Sequence, residues 1–159
     1  MIFVTVGSVL PFERLIRALD DWSALHPEED VFAQIGHAGY VPRHMRYERM
    51  LAPADCRRLY TEASLIVAHA GMGTVISAAE IARPIVLLPR RTMWREHTTD
   101  HQLHTARWLR GRPGVFIADT EAELEQRIEE ARTCLLQHGN LSTTAPEEFT
   151  RMIRQALIS

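Results

Sequence analysis

Between Ser64 and Glu80 the chain reads Ser-Leu-Ile-Val-Ala-His-Ala-Gly-Met-Gly-Thr-Val-Ile-Ser-Ala-Ala-Glu, and no other stretch restricts the fold as much. Leu65–Ala68 is an apolar run of strand formers. His69, Ala70, Gly71, Met72, Gly73 and Thr74 form a tight turn, and Val75–Ile81 contains no helix breaker. Strand, glycine turn and helix in succession aim free backbone N–H groups at an anion. Glycine lets a backbone approach a ligand closely and take φ values that other residues resist. Thr74 can add a hydroxyl donor, so the expected ligand is a diphosphate. A glycine turn after a buried strand also arises for steric reasons alone, and the rest of the chain has to decide between the two.

That rest alternates in the same way. Ile2–Val6 reads as a buried strand ended by Gly7-Ser8. Phe12, Leu15, Ile16, Leu19 and Trp22 then fall on one helical stripe, with Pro11 in the first turn. Val31–Ile35 is a second strand, closed by Gly36, and Tyr47–Leu51 is a candidate third. Ala54–Ala63 carries Cys56, Leu59, Tyr60 and Ala63 at helical spacing. Pro84–Leu88 and Val115–Ala118 are further apolar strands, separated by a helix over Asp100–Arg110. Asp119 or Thr120 can cap a helix over Glu121–Gln137, and Pro146 opens a last amphipathic one reaching Leu157. Strands that are continuous apolar runs alternating with helices predict an α/β fold, a parallel sheet covered on both faces. Ligands of such a fold lie beyond the carboxyl ends of the strands. There the expected neighbours are Gly7-Ser8, His37–Gly39, His69–Thr74 and Pro89–Gln102.

The 159 residues predict a single domain, and 46 % hydrophobic residues supply its core. A net charge of −2 argues against nucleic acid as the main partner. Cys56 and Cys134 are isolated and form no CxxC pair, which suits a reducing compartment and suggests neither a disulfide framework nor a zinc site. Met1 runs straight into the first strand, so a cytoplasmic protein without a signal peptide is expected. The first turn, Gly7-Ser-Val-Leu-Pro11, lacks the Gly-x-Gly-x-x-Gly of dinucleotide-binding folds. The chain contains no lysine at all, which removes a P-loop kinase.

The second concentration of chemistry is Pro89–Gln102, where Arg90, Arg91 and Arg95 stand beside Glu96, His97, Asp100, His101 and Gln102. The arginines can balance phosphate or carboxylate in a bidentate way. Together these groups suggest recognition of a polyhydroxylated or anionic ligand. His97, His101 and His104 are spaced i, i+4, i+7, a face that could bind zinc if the helix has already begun at His97. No ligand from another element accompanies them, and no metal is expected. His69 either hydrogen-bonds the turn or touches the ligand.

Val4–Ser8, Pro11–Ile16, His69–Thr74, Pro84–Pro89 and Glu96-His-x-x-Asp-His-Gln102 together resemble glycosyltransferase family 28, in its C-terminal, donor-binding half. The likeness is to the short, single-domain branch. That branch includes the PssE type of exopolysaccharide synthesis and the soluble subunit of the eukaryotic dolichol-linked N-acetylglucosaminyltransferase. The resemblance implies the Rossmann-like half of a GT-B enzyme and a UDP-sugar as donor substrate, with no cofactor. It places Gly71, Met72, Gly73 and Thr74 on the diphosphate, Gly7 and Ser8 toward the phosphates and acceptor, and Gln102 with His101 on the sugar. Where many members carry a ribose-binding glutamate, this chain has Ser77, with Glu80 one turn later. The resemblance also implies a separate, membrane-anchored PssD-like subunit that brings the lipid-linked acceptor and recruits the chain to the inner face of the membrane. The helix over residues 146–158 can dock that subunit or pack on its own domain. The expected activity is transfer of a hexosyl unit (glucuronosyl, glucosyl or galactosyl) to a polyprenyl-diphosphate-linked saccharide. The alternatives are a non-catalytic accessory subunit and a UDP-sugar epimerase or hydrolase.

Overall fold

The computed structural model describes residues 1–134. Six parallel strands form one sheet in the order β3-β2-β1-β4-β5-β6. They are β1 (Ile2–Thr5), β2 (Val31–Gln34), β3 (Arg46–Glu48), β4 (Leu65–His69), β5 (Ile85–Leu88) and β6 (Val115–Ile117). The helices are α1 (Glu13–Leu25), α2 (Pro53–Glu62), α3 (Met72–Glu80), α4 (His101–Leu109) and α5 (Leu124–Cys134). This is the parallel sheet expected from the alternation of apolar strands and helices, in the Rossmann-like arrangement that the resemblance implied. The strand order reverses between β1 and β4, which are paired in register from Ile2 with Leu65 to Thr5 with Ala68.

Because successive strand residues point to opposite faces, each central strand feeds two cores. Ile2, Val4, Leu65, Val67, Val86 and Leu88 join Leu15, Ile16 and Leu19 of α1 and Leu124 and Ile128 of α5 on one face. Phe3, Ile66, Ala68, Ile85 and Leu87 meet Leu59 of α2, Val75 and Ala78 of α3, and Ala106 and Leu109 of α4 on the other. Full burial of each large side chain stabilises the fold by about 1.5–3 kcal/mol, which explains why these strands carry no alternating polar residues.

Several boundaries differ from the expected ones. Pro11 precedes α1 rather than lying in its first turn, since Phe12 is the residue at the helix entrance. The third strand is Arg46–Glu48, fully exposed at the sheet edge; without a buried face it has no apolar signature, and Met50 and Leu51 lie beyond it. The chain from Glu121 opens as a 3-10 turn, Glu121–Glu123, before α5 begins. The N-cap residue of that turn is Thr120, without a side-chain cap bond, and the Glu123 carboxylate accepts the Asp119 N–H at 3.2 Å. The helix expected from Pro146 lies outside the described residues. Buried Asp20 of α1 accepts the N–H groups of Arg43 and His44 and the Tyr40 hydroxyl. Burial alone would raise its pKa, but these bonds hold it below the ordinary value.

Candidate active site

A cleft of about 580 Å³ opens beyond the carboxyl ends of the strands, at the reversal between β1 and β4. Its floor is the start of α3. Gly71 stands at the helix entrance and no side chain caps it. The N–H groups of Met72, Gly73 and Thr74 therefore face outward without an intrahelical acceptor, while the Gly71 N–H is spent on the His69 carbonyl at 2.8 Å. Three aligned donors with the positive end of the helix dipole behind them suit an anion.

The glycines earn their place differently. Gly71 has φ −93°, an ordinary value, so conformational freedom is not its reason. A Cβ there would come within 2.2 Å of His69 Nε2, and one on Gly7 within 2.7 Å of His69 Cε1. The imidazole thus fills the space that both glycines leave. Gly7 alone of this group needs the left-handed region, at φ +76°. A Cβ on Gly73 would meet nothing within 4 Å, and Gly73 lines the cleft, so its missing side chain leaves room for a ligand.

His69 Nδ1 is buried without a hydrogen bond of good geometry. Burial, then the Arg90 charge, push its pKa down to about 4, with the Thr5 carbonyl acting the other way. The ring is neutral at physiological pH. Arg90, only 3 % exposed, donates through Nη2 to the Val6 and Leu10 carbonyls at 2.8 and 2.6 Å. Burial lowers it to about 10, which leaves it cationic. Its own N–H goes to Gln102 Oε1 at 3.1 Å. Arg90 ties the loop after β1 to the loop after β5 and supplies the fixed positive charge of the cleft.

Other expected residues fall elsewhere. Arg91 donates to the Asp119 carbonyl at 2.6 Å, away from the cleft, so a paired-arginine clamp does not form. Glu96 binds Arg14 and accepts the Arg91 N–H at 2.9 Å; it braces the loop instead of lining the cleft. Met72 offers its backbone while its side chain stays outside. The loop His37–Gly39, expected at the ligand edge, turns onto α1, where the Gly39 N–H meets the Glu13 carboxylate. The i, i+4, i+7 histidine face is not formed, because α4 starts at His101 and His97 lies in the preceding loop. Among the described residues, no group of three or more His, Cys, Asp or Glu side chains is placed to hold a metal ion. His97 and His101 instead meet edge to face, 4.3 Å between ring centres. The Thr99 N–H donates to His97 Nδ1 at 3.2 Å.

The cleft does bring together Gly7, Ser8, His69, Gly71, Gly73, Thr74, Ser77, Arg90, His97, His101 and Gln102. It adds residues that sequence reasoning missed: Gln34, Met50, Leu51, Pro53, Cys56 and Tyr60. The helical spacing of Cys56 and Tyr60 marked them as core, and half of each side chain is. Burial, partly offset by the neighbouring Thr74 hydroxyl, pushes the Tyr60 phenol up to about 12.

Fold and cleft define a doubly wound α/β domain with an uncapped helix start at its topological switch point. The sequence model of the glycosyltransferase family 28 C-terminal domain matches residues 1–156; the chain belongs to this family. A curated relative, the UDP-N-acetylglucosamine–N-acetylmuramyl-(pentapeptide) pyrophosphoryl-undecaprenol N-acetylglucosamine transferase of Synechococcus sp. (strain JA-3-3Ab), is 28 % identical over 125 residues, 74 % of this chain and 33 % of the relative. The chain thus spans about a third of that protein. Among solved structures, ALG13 superposes with a TM-score of 0.64 at 15 % identity, covering 99 % of this chain and 96 % of ALG13. MurG of Acinetobacter baumannii gives 0.54 at 21 % identity, over 86 % of this chain and 41 % of MurG. These superpositions establish the glycosyltransferase type of Rossmann-like fold. Among the described residues no helix is long and apolar enough to cross a membrane.

Proposed function

We propose that the chain is the donor-binding part of a UDP-sugar-dependent hexosyltransferase acting on a polyprenyl-diphosphate-linked saccharide in exopolysaccharide or capsule synthesis. The observation that carries this reading is the set of free amides at Met72–Thr74, at a cleft also lined by Gly7 and the buried Arg90 cation. Charge builds on the diphosphate as the bond from the anomeric carbon to the β-phosphate oxygen breaks. Preorganised donors aimed there stabilise the transition state more than the ground state. His69 is neutral and wedged against both glycines, so it orients the turn. His101 and Gln102 are the groups nearest the expected sugar, Gln102 with its Oε1 already engaged and its amide nitrogen left to donate. Arg91 turns away to Asp119, so the paired-arginine reading of an anionic sugar loses one of its two members.

The acceptor and the general base belong to a membrane-anchored PssD-like partner. Two observations support this: the near-complete coverage of ALG13, and apolar side chains exposed on the loops that rim the cleft, Val9 at 79 % and Met93 at 72 %. The test is a transfer assay with a panel of radiolabelled UDP-sugars, with and without membranes carrying acceptor and partner. Lipid-linked product that needs both chain and membranes is expected, and it disappears with Gly73→Val. Free hexose or an epimer formed without membranes would establish a hydrolase or epimerase instead. Product formed equally by Gly73→Val would make the chain an accessory subunit.

A further inference from the structure

Charge is spread unevenly along this chain. Residues 81–118 hold seven arginines and two carboxylates, in a protein whose net charge is −2. Both carboxylates are already engaged: Glu96 binds Arg14, and Asp100 accepts from Thr92. Arg90 and Arg91 are spent on carbonyls. Of the rest, Arg107, Arg110 and Arg112 cluster at the C-terminal end of α4. This helix contains no acidic residue. Its inner side puts Ala106 and Leu109 into the core. Its outer side exposes His104, Arg107 and Trp108, spaced i, i+3, i+4 on one face. Arg110 and Arg112 follow, both exposed. The Arg112 guanidinium lies 4.8 Å from the centre of the Trp108 ring, and Trp108 is 41 % exposed. Arg110 meets both Asp119 oxygens at 2.8 Å. Among the described residues Arg107 and Arg112 form no ion pair. Arg83 adjoins the cluster, because the Ile85 N–H donates to the Gly114 carbonyl at 2.9 Å and sets the turn before β5 beside the turn before β6.

The helix dipole accounts for one cation in the last turn of α4, which is Arg107. It does not account for two more beyond the helix with a tryptophan among them. The other face of this end of the sheet has the opposite sign. There α5 packs against β5 and β6, and the chain from Glu121 to Cys134 carries five glutamates against two arginines. Such a polarity turns one face toward an anionic surface and the other away from it. Arginine beside an exposed aromatic ring suits lipid headgroups in particular. Guanidinium groups pair with phosphates in a bidentate way, and an indole settles at headgroup level with its polar edge in water. We propose that the outer face of α4, with the turn that follows it, is a docking surface for the anionic headgroups of a lipid bilayer. Helix α4 starts at the cleft with His101 and Gln102, so a bilayer along this face holds the cleft beside its surface. Each exposed arginine strengthens such binding by about fivefold. The contact is therefore weak and reversible, and stable residence takes a second signal, such as a membrane-bound partner. The proposal does not depend on what the cleft binds.

Sedimentation of the full chain with phospholipid vesicles tests it. The chain is expected to sediment with phosphatidylcholine vesicles containing about a third phosphatidylglycerol, to be released as salt rises, and to stay in solution with phosphatidylcholine alone. Arg107→Gln combined with Arg112→Gln is expected to weaken binding by about tenfold or more, at unchanged melting temperature and UDP affinity. Arg57→Gln combined with Arg58→Gln removes the same charge from α2 and is expected to bind vesicles as wild type does. An equal loss in both double variants makes net charge the cause and overturns the proposal. So does undiminished binding by the α4 variant, equal binding to neutral vesicles, or no binding at all. Retention on single-stranded RNA at a salt concentration that already frees the chain from vesicles assigns the face to nucleic acid and overturns the proposal as well.

Discussion

His69 packs where Cβ atoms on Gly7 and Gly71 would lie, so neighbouring glycines make opposite predictions. Gly71→Ala drives a methyl into the imidazole and is expected to cost about 2 kcal/mol of stability, read as a lower midpoint in urea. Gly73→Ala meets open space and improves helix propensity by up to about 1 kcal/mol. Its melting temperature should hold or rise while UDP affinity falls about tenfold. The imidazole also sets a pH dependence. Its pKa is about 4 folded against 6.5 for a free histidine, so between these values the unfolded chain binds the proton that the folded one refuses. Stability attributable to His69 is complete above pH 6.5 and is lost as pH falls toward 4, to the extent of about 3 kcal/mol. Thermal melts across this window should show a shallower acid limb for His69→Gln than for wild type. None of this was visible in the sequence, where His69 had a structural and a ligand-binding reading side by side. Arg90 is similar: its residue type announces anion recognition, but burial against two carbonyls depends on how the loops after β1 and β5 meet.

At the scale of elements, the apolar strands and the glycine turn into α3 were legible because each answers to local chemistry. Buried strands need uninterrupted apolar residues, and a tight turn with close backbone approach favours glycine. The edge strand β3 and the path of Pro89–Gln102 were not, because both are decided by distant partners. That loop is held by Arg14 of α1, which donates to both Glu96 oxygens at 2.7 and 3.0 Å and to the Pro89 carbonyl at 2.9 Å. Its guanidinium also lies 4.3 Å from the centre of the Trp94 ring. Asp100 adds a second brace, accepting the Thr92 N–H and hydroxyl. Glu96→Gln removes the ion pair while keeping the shape. It should lower stability by about 2 kcal/mol and raise amide exchange across residues 91–96, with UDP binding weakened less than in Gly73→Ala.

For the whole molecule, the parallel sheet and its ligand edge followed from alternation alone. The expected loop set was wrong in one member, since His37–Gly39 is drawn onto α1 and its place is taken by the Met50–Pro53 segment. Val9, in the loop after β1, and Met93, in the loop after β5, are both exposed. Met93→Glu is expected to abolish co-purification with the membrane partner and transfer activity while leaving the UDP affinity of the isolated chain unchanged. The central claim remains that the amides opening α3 grip a diphosphate. It is tested most directly by following backbone amide resonances of the labelled chain during titration with UDP. The account predicts saturable shifts largest at Met72, Gly73 and Thr74, with Gly7 and Gln102 following. Shifts confined to residues away from the β1–β4 reversal, or none at saturating nucleotide, would contradict it.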